Sequence, residues 1–344
     1  MRHKLTPLLM FLALSPALIA MACVPGEPPA PTVPASVLEP SRPPWLRIYT
    51  DIDFRGPSLG LISGWHGTIL RSTNAGQAWS EVQTPSDADL NSVAILDANN
   101  AVAVGSSGNI LRSSDGGQSW AKVESPTSET LNSVAAVNIN SAVAVGVHGT
   151  IIGTNDGGKT WTSRYSSTDP SLNFEAVAFT PTGAGMAVSS GGVCLRTADT
   201  ISWRPVTLPD GGQKLFAVDL FDDNNIMLAG SVRADATTVA GGKTVILKTE
   251  SGGKNWGHAS SNLNVDLLTI KYIDRQSVLA AGWDGIILRT QDGGGSWTSV
   301  VSQTNEAIRA LAVLDSNTIF AVGDGQTIVE SRNGGLTWEK IRGS

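Results

Sequence analysis

Tryptophans at positions 79, 120, 161, 203, 256, 297 and 338 recur along this chain at a nearly constant spacing. The intervals are 41 or 42 residues except between Trp203 and Trp256, where an insertion lengthens the repeat. A fixed period of this size marks a supersecondary unit that cannot bury its own apolar faces and must stack on copies of itself. A clear copy reads Leu90–Leu96, Ala101–Gly105, Asn109–Ser113 and Trp120–Val123, which are apolar runs of strand length separated by Asn, Asp, Gly and Ser. Four antiparallel strands make one blade, and seven blades fall within the range of about 4 to 8 that closes a ring. The sequence therefore predicts an all-β, seven-bladed β-propeller over residues 45–344, with blades near 45–85, 90–126, 131–167, 174–210, 215–262, 267–303 and 308–344. Small residues in the second strand, such as Ala101, Ala103, Ala142, Ala144, Ala280 and Ala281, suit the tapering space where blades converge. The last repeat has its own outer strand, Trp338–Ile341, so the segment Trp45–Ile48 is free to pair with either end blade.

Between the third and fourth strands lies a turn of the form Ser/Thr-x-Asp-x-Gly-x-Ser/Thr-Trp, seen at 113–120, 154–161 and 290–297. This is the Asp-box. Asp115, Asp156 and Asp292 are placed to accept backbone N–H groups within their own turns, glycines supply positive φ, and Trp120, Trp161 and Trp297 pack back over the hairpin. Degenerate copies fit this structural reading: Asn74 and Asn333 (with Trp338) keep the turn chemistry, Ser251 is a weaker substitute, and the copy with Asp199 and Trp203 is one residue short.

The spacing, together with the phrase Gly-x-x-Gly-x-Ile-Leu-x-Ser/Thr-x-Asp-Gly-Gly-x-Ser/Thr-Trp carried by 105–120, 282–297 and, with Gly153 in place of a bulky residue, 146–161, resembles the photosystem II stability/assembly factor-like propellers. The resemblance covers the chain from Trp45 to Ser344 and implies the seven-bladed fold. For photosynthetic members it implies a lumenal chaperone that binds an early reaction-centre subunit through a basic, arginine-rich surface. This chain departs there. Its formal net charge is −6 and it shows no local arginine cluster. The same acidity argues against a nucleic-acid partner, which requires a positive footprint.

Arg2, His3 and Lys4 precede an apolar stretch from Leu5 to Ala20, the arrangement of a secretory signal and too short for a comfortable membrane span. The stretch ends Ile19-Ala20-Met21-Ala22-Cys23, which resembles a bacterial lipobox, although Ala20 stands where Leu is usual and Met21 is large for its position. The expectation is a lipoprotein-type signal peptide over 1–22, lipidation at Cys23 and a proline-rich tether over 23–44; ordinary cleavage after a small-x-small site is the alternative. Such a protein is exported and anchored in the bacterial cell envelope, on the periplasmic side, or in a thylakoid lumen if the organism is photosynthetic. The other cysteine is Cys194, so the mature domain holds no internal disulfide.

Two sets of residues are candidates for binding. Arg71, Arg112, Arg196, Lys248 and Arg289 recur on the third strand, interrupted by Gly153 and Glu330. They form either a docking surface for an acidic segment or stems that cover the sheet while their heads pair with turn carboxylates. On the turns between second and third strands, Trp65 and Trp283 offer apolar rings to a protein or a sugar, or pack on a neighbouring turn. His66, His148 and Asp284 on these turns belong to non-adjacent blades and make a poor metal set, so neither metal nor cofactor is expected. The insertion at 231–244 extends the same face. Catalysis of the sialidase type would need an arginine triad and a Tyr–Glu pair. The only tyrosines are Tyr49, Tyr165 and Tyr272, and no arginine motif matches. The sequence thus favours a monomeric, non-catalytic scaffold for a protein client, a membrane protein or its assembly intermediate. A carbohydrate-binding or glycoside-processing propeller is the alternative, and a ring that stabilises an oligomer is a third reading, which predicts a large apolar patch.

Overall fold

Each Asp-box closes its hairpin with its own side chains. In the computed structural model, which describes residues 47–209, 213–232, 243–259 and 264–343, Asp156 accepts the amides of Lys159 and Thr160 at 3.0 and 2.9 Å, and Thr154 Oγ1 accepts the Gly158 amide at 3.0 Å. Asp115 repeats this with Gln118 and Ser119, and Asp199 does so in its shortened turn with Ile201 and Ser202. Asn74 and Asn333 accept one amide each, from Ala78 and Thr337, so the acceptor geometry survives loss of the charge. Gly116 and Gly117 sit at φ +70 and +78, and a Cβ on Gly117 would lie 2.7 Å from Leu61 of the neighbouring blade. Hydrogen bonding by Ser119 draws the Asp115 carboxyl down to about 2. For Asp156 burial acts in the opposite direction, but the Thr160 hydroxyl and amide prevail and bring it to about 2.

Four consecutive strands form each sheet, in the order first, second, third, fourth. Blade 1 comprises β1 (Tyr49–Phe54), β2 (Gly60–Gly64), β3 (Ile69–Ser72) and β4 (Ser80–Val82); six further blades repeat the pattern up to β28 (Glu339–Arg342). The protein is an all-β seven-bladed propeller. Strand direction alternates, so the Asp-boxes lie on one face of the disc. The 2–3 turns and the connections between blades lie on the other, termed here the turn face.

Every second strand is buried along most or all of its length, as in Ala101–Gly105 and Val278–Gly282, because both sides of each sheet are covered by neighbours. The buried apolar residues form seven clusters, one per seam; Leu61, Ile69, Val93 and Leu111, for example, join blades 1 and 2. Fourth strands are largely exposed, as in Ala121–Val123. The close approach at the channel end is absolute at Gly105, where a Cβ would fall 1.8 Å from the Asp89 carbonyl oxygen.

The ring closes without strand exchange. Blade 7 contributes all four of its strands, and the entry segment is pinned to both end blades: Arg47 O accepts the Gln326 amide at 3.2 Å and Ile48 O accepts the Trp65 amide at 3.1 Å. Side chains join the seam, with Tyr49 buried and Phe54, Trp79 and Phe320 in mutual ring contact. The expected signal peptide, Cys23 and tether, together with residues 233–242 of the insertion, lie outside the described residues.

The turn chemistry predicts that Asp156→Ala lowers stability by about 1 kcal/mol, whereas Asp156→Asn retains most of it. Because the folded-state pKa is depressed, the charge contributes stability above pH ~4 that is lost as pH falls toward 2, and the Asn variant lacks that dependence. Urea unfolding between pH 2 and 7 checks both; equal damage from Ala and Asn would show that charge, not acceptor geometry, holds the turn.

Candidate functional site

The recurring third-strand cations act between blades. Arg71 Nε donates to Gly116 O at 2.6 Å, Arg112 Nε to Gly157 O at 2.6 Å, Lys248 Nζ to Gly293 O at 3.2 Å and Arg289 Nε to Gly334 O at 2.8 Å; Arg196 Nη1 bonds Gly252 O. In every case an acceptor is the first glycine carbonyl of the Asp-box of the next blade; among the described residues Lys248 alone of the five also pairs with a turn carboxylate, Glu250 at 3.4 Å. The two interruptions coincide with boxes that lack this glycine. Gly153 precedes the shortened box, where Thr200 takes the left-handed turn position, and Glu330 precedes the box with Ala75 at that position. Those two seams carry aromatic contacts, Tyr165 with Phe174 between blades 3 and 4, and Phe320 with Phe54 and Trp79 between blades 7 and 1; Phe221 and Tyr272 make another between blades 5 and 6. Glu330 is buried and pairs with Arg332 at 3.0 Å.

A central channel of about 540 Å³ runs between the first strands of all seven blades. Each first strand carries a β-bulge, at its second residue in six blades and at the fourth in blade 5, which turns that side chain toward the channel at the turn face. The bulged residues are Thr50, Asn91, Asn132, Glu175, Phe216, Leu268 and Arg309. The first three bridge to the next blade, bonding Leu90 O, Leu131 O and Phe174 O. Glu175 accepts the Ser190 hydroxyl at 2.6 Å, and Arg309 grips Asp324 through two nitrogens.

Deeper in the channel, carboxylates serve the exposed edge of the neighbouring first strand. Asp51 accepts the Val93 amide at 3.1 Å and Asp53 the Ile95 amide at 2.7 Å; Asp219 accepts the Tyr272 amide at 2.8 Å and the Lys271 ammonium at 3.2 Å. Burial pushes Asp53 up to about 6, with the Asp51 charge adding to it and the Ile95 amide and Lys271 opposing. Asp219 is the main influence holding the Lys271 ammonium in its charged form.

On the turn face Trp283 is 44% exposed, with the Arg309 guanidinium 5.8 Å above its ring. Trp65 is half-buried, and blade 7 separates it from Trp283. His66 and His148 occupy left-handed turn positions, their amides held by Asp89 and Asn173. Among the described residues no three His, Cys, Asp or Glu side chains converge as metal ligands. The structure therefore separates the two candidate sets, with the cations toward the Asp-box face and the tryptophans on the other. It brings Trp283 together with Arg309, and Arg309 lines the channel with Leu268 and Phe216, residues that the sequence pattern did not single out.

The model of the family Photosynthesis system II assembly factor YCF48 matches residues 43–129. The structure of YCF48 bound to D1 peptide superposes with a TM-score of 0.66 at 22% identity, covering 83% of this chain and 93% of that one. In fold and repeat the chain is similar to the photosystem II assembly factor-like propellers. YCF48 from Cyanidioschyzon merolae gives a TM-score of 0.67 at 20% identity over 83% of this chain and 96% of its own. The propeller of a GH74 xyloglucanase from Xanthomonas campestris gives 0.67 at 16% identity, covering 85% of this chain and 54% of that one. No curated protein matches the chain in sequence.

In this propeller, Arg289→Ala is expected to cost about 1–3 kcal/mol, since it orphans the Gly334 carbonyl at a buried seam; Arg289→Lys keeps part of that stability. Equilibrium unfolding in urea measures both, and an Ala variant within error of the parent would exclude the latch. Asp53 has a second consequence. A folded-state pKa raised above the unfolded value makes stability fall as pH rises from about 4 to 6, so Asp53→Asn is expected to be neutral near pH 4 and stabilising by about 1–3 kcal/mol above pH 7. Thermal unfolding across that range tests it, and a pH-independent difference would refute it.

Proposed function

We propose that this chain is a non-catalytic protein-binding scaffold of the cell envelope, tethered by a lipid on Cys23, that holds a membrane-protein client or its assembly intermediate on its turn face. The observation that carries this reading is the likeness of fold and repeat to YCF48, one structure of which holds a D1 peptide. The exposed Trp283 beside the channel mouth supplies a large apolar contact at low conformational cost, as binding surfaces require. The third-strand cations are engaged by carbonyls within the ring, which leaves them a structural duty first and a docking role second. The channel carboxylates Asp51, Asp53 and Asp219 are likewise bonded to neighbouring backbone amides, which speaks against a free catalytic pair. A glycan-processing reading has in its favour only the fold shared with the xyloglucanase.

Affinity capture from native membranes with the lipidated protein, followed by mass spectrometry, is expected to recover a defined membrane protein that is lost with Trp65→Ala/Trp283→Ala. Retention of glycans with no protein partner would overturn the reading in favour of carbohydrate. Cys23→Ser is expected to move the protein from the membrane to the soluble fraction; unchanged fractionation would exclude the anchor.

A further inference from the structure

The turn face is anionic by construction. Each of the six connections between blades, 83–89, 124–130, 166–173, 207–212, 259–266 and 301–307, carries at least one Asp or Glu, and none carries Lys or Arg. Asp87, Glu124 and Asp169 on these connections are exposed. The described 2–3 turns also lack Lys and Arg, and they add the exposed Asp284 beside Trp283. Among the described residues, a partner approaching this side of the disc meets the carboxylates of Asp87, Glu124, Asp169 and Asp284.

The channel mouth gives this charge a shape. The bulged residues of four consecutive blades form an arc: Glu175, then Phe216 and Leu268, then Arg309. Phe216 and Leu268 are half-buried, and Trp283 stacks on Arg309 at the end of the arc. The one cation of the arc is already taken. Arg309 is gripped by both oxygens of Asp324 and lies over the Trp283 ring, so its charge is neutralised within the protein. At the opposite end Glu175 is pushed above the usual carboxylate range by burial, with the Ser190 hydroxyl and the field of Lys214 opposing. An apolar centre is thus bracketed by a carboxylate without an ion-pair partner among the described residues and by a closed ion pair. An acidic segment would be repelled here and a neutral one would leave the carboxylates unmatched.

Resting on the reading of this chain as a protein-binding scaffold, we propose that the turn face receives an extended cationic segment of its client. An apolar side chain of the segment seats on Phe216, Leu268 and Trp283, and its lysines or arginines face Glu175 and the carboxylates of the blade connections.

The probes are labelled peptides of alternating Lys and Leu, the same peptide with Glu for Lys, and the same with Ser for Leu, titrated against the purified propeller by fluorescence anisotropy at low and high salt. The Lys–Leu peptide is expected to bind, about ten-fold more weakly in Trp283→Ala and again in Glu175→Gln, with affinity falling as salt rises. The other two peptides are expected to bind at least about ten-fold more weakly than the first. Thermal midpoints close to the parent's establish that both variants fold, as substitution at an exposed ring and of a carboxylate by its amide allows. Equal binding of the Glu–Leu peptide, or Lys–Leu binding indifferent to both substitutions, would overturn the assignment. Capture of a membrane client through Trp283 without Lys–Leu binding would leave the scaffold reading standing and overturn the cationic segment. Lys–Leu binding at this face without any membrane client would do the reverse.

Discussion

Everything in this molecule depends on the contact of one blade with the next. A four-stranded sheet with apolar residues on both sides is unstable alone, and each blade gains its stability when both sides are covered. That requirement explains the second strands, buried on both sides and built of small residues where the blades converge. It also explains why the ring closes by side-chain packing. Once Tyr49, Ile62 and Leu70 of blade 1 pack on Phe320, Val322 and Ile328 of blade 7, the last seam is as covered as the others, and an exchanged strand would add no burial.

At the rim, the same contact is fixed by a cation and a carbonyl. The Asp-box turn projects its first glycine carbonyl sideways, and a third-strand Arg or Lys of the preceding blade caps it. The two seams without a third-strand cation are those whose receiving turn has Ala75 or Thr200 in the left-handed position that glycine holds elsewhere. At those two seams the chain has Gly153 and Glu330 in place of a cation, and aromatic contacts are present. At Gly153 the vacated space is covered by Arg164, whose Nε would lie 2.8 Å from an added Cβ.

Much of this was legible in the sequence. The tryptophan period fixes the number of blades, the Asp-box fixes each outer hairpin, and the alternation of apolar runs with Gly and Asn places four strands in each repeat. Two features were not legible, for a physical reason in each case. The partner of Arg112 is the main-chain oxygen of Gly157, and a carbonyl acceptor leaves no mark in residue type, so a carboxylate was the natural expectation. The channel lining was hidden by the bulge. A period of two over Leu90-Asn91-Ser92-Val93 gives one alternation, but the extra residue at Asn91 breaks it, and side chains beyond the bulge exchange sides. Since the bulged positions hold Thr, Asn, Glu, Phe, Leu and Arg, no common chemistry announces them.

That lack of common chemistry separates scaffold from function. The seams and boxes repeat because every blade must solve the same packing problem, and a xyloglucanase with 16% identity solves it in the same fold. Similarity of the ring therefore carries no information about what is bound. The bulged positions are less constrained: their half-buried side chains line one mouth of the channel, and they differ from blade to blade. In this chain they are polar and bonded to the next blade on blades 1 to 3, acidic on blade 4, apolar on blades 5 and 6, and an internally paired arginine on blade 7. The sevenfold frame thus presents a one-sided mouth, and it is this asymmetry, rather than the fold, that a client must match.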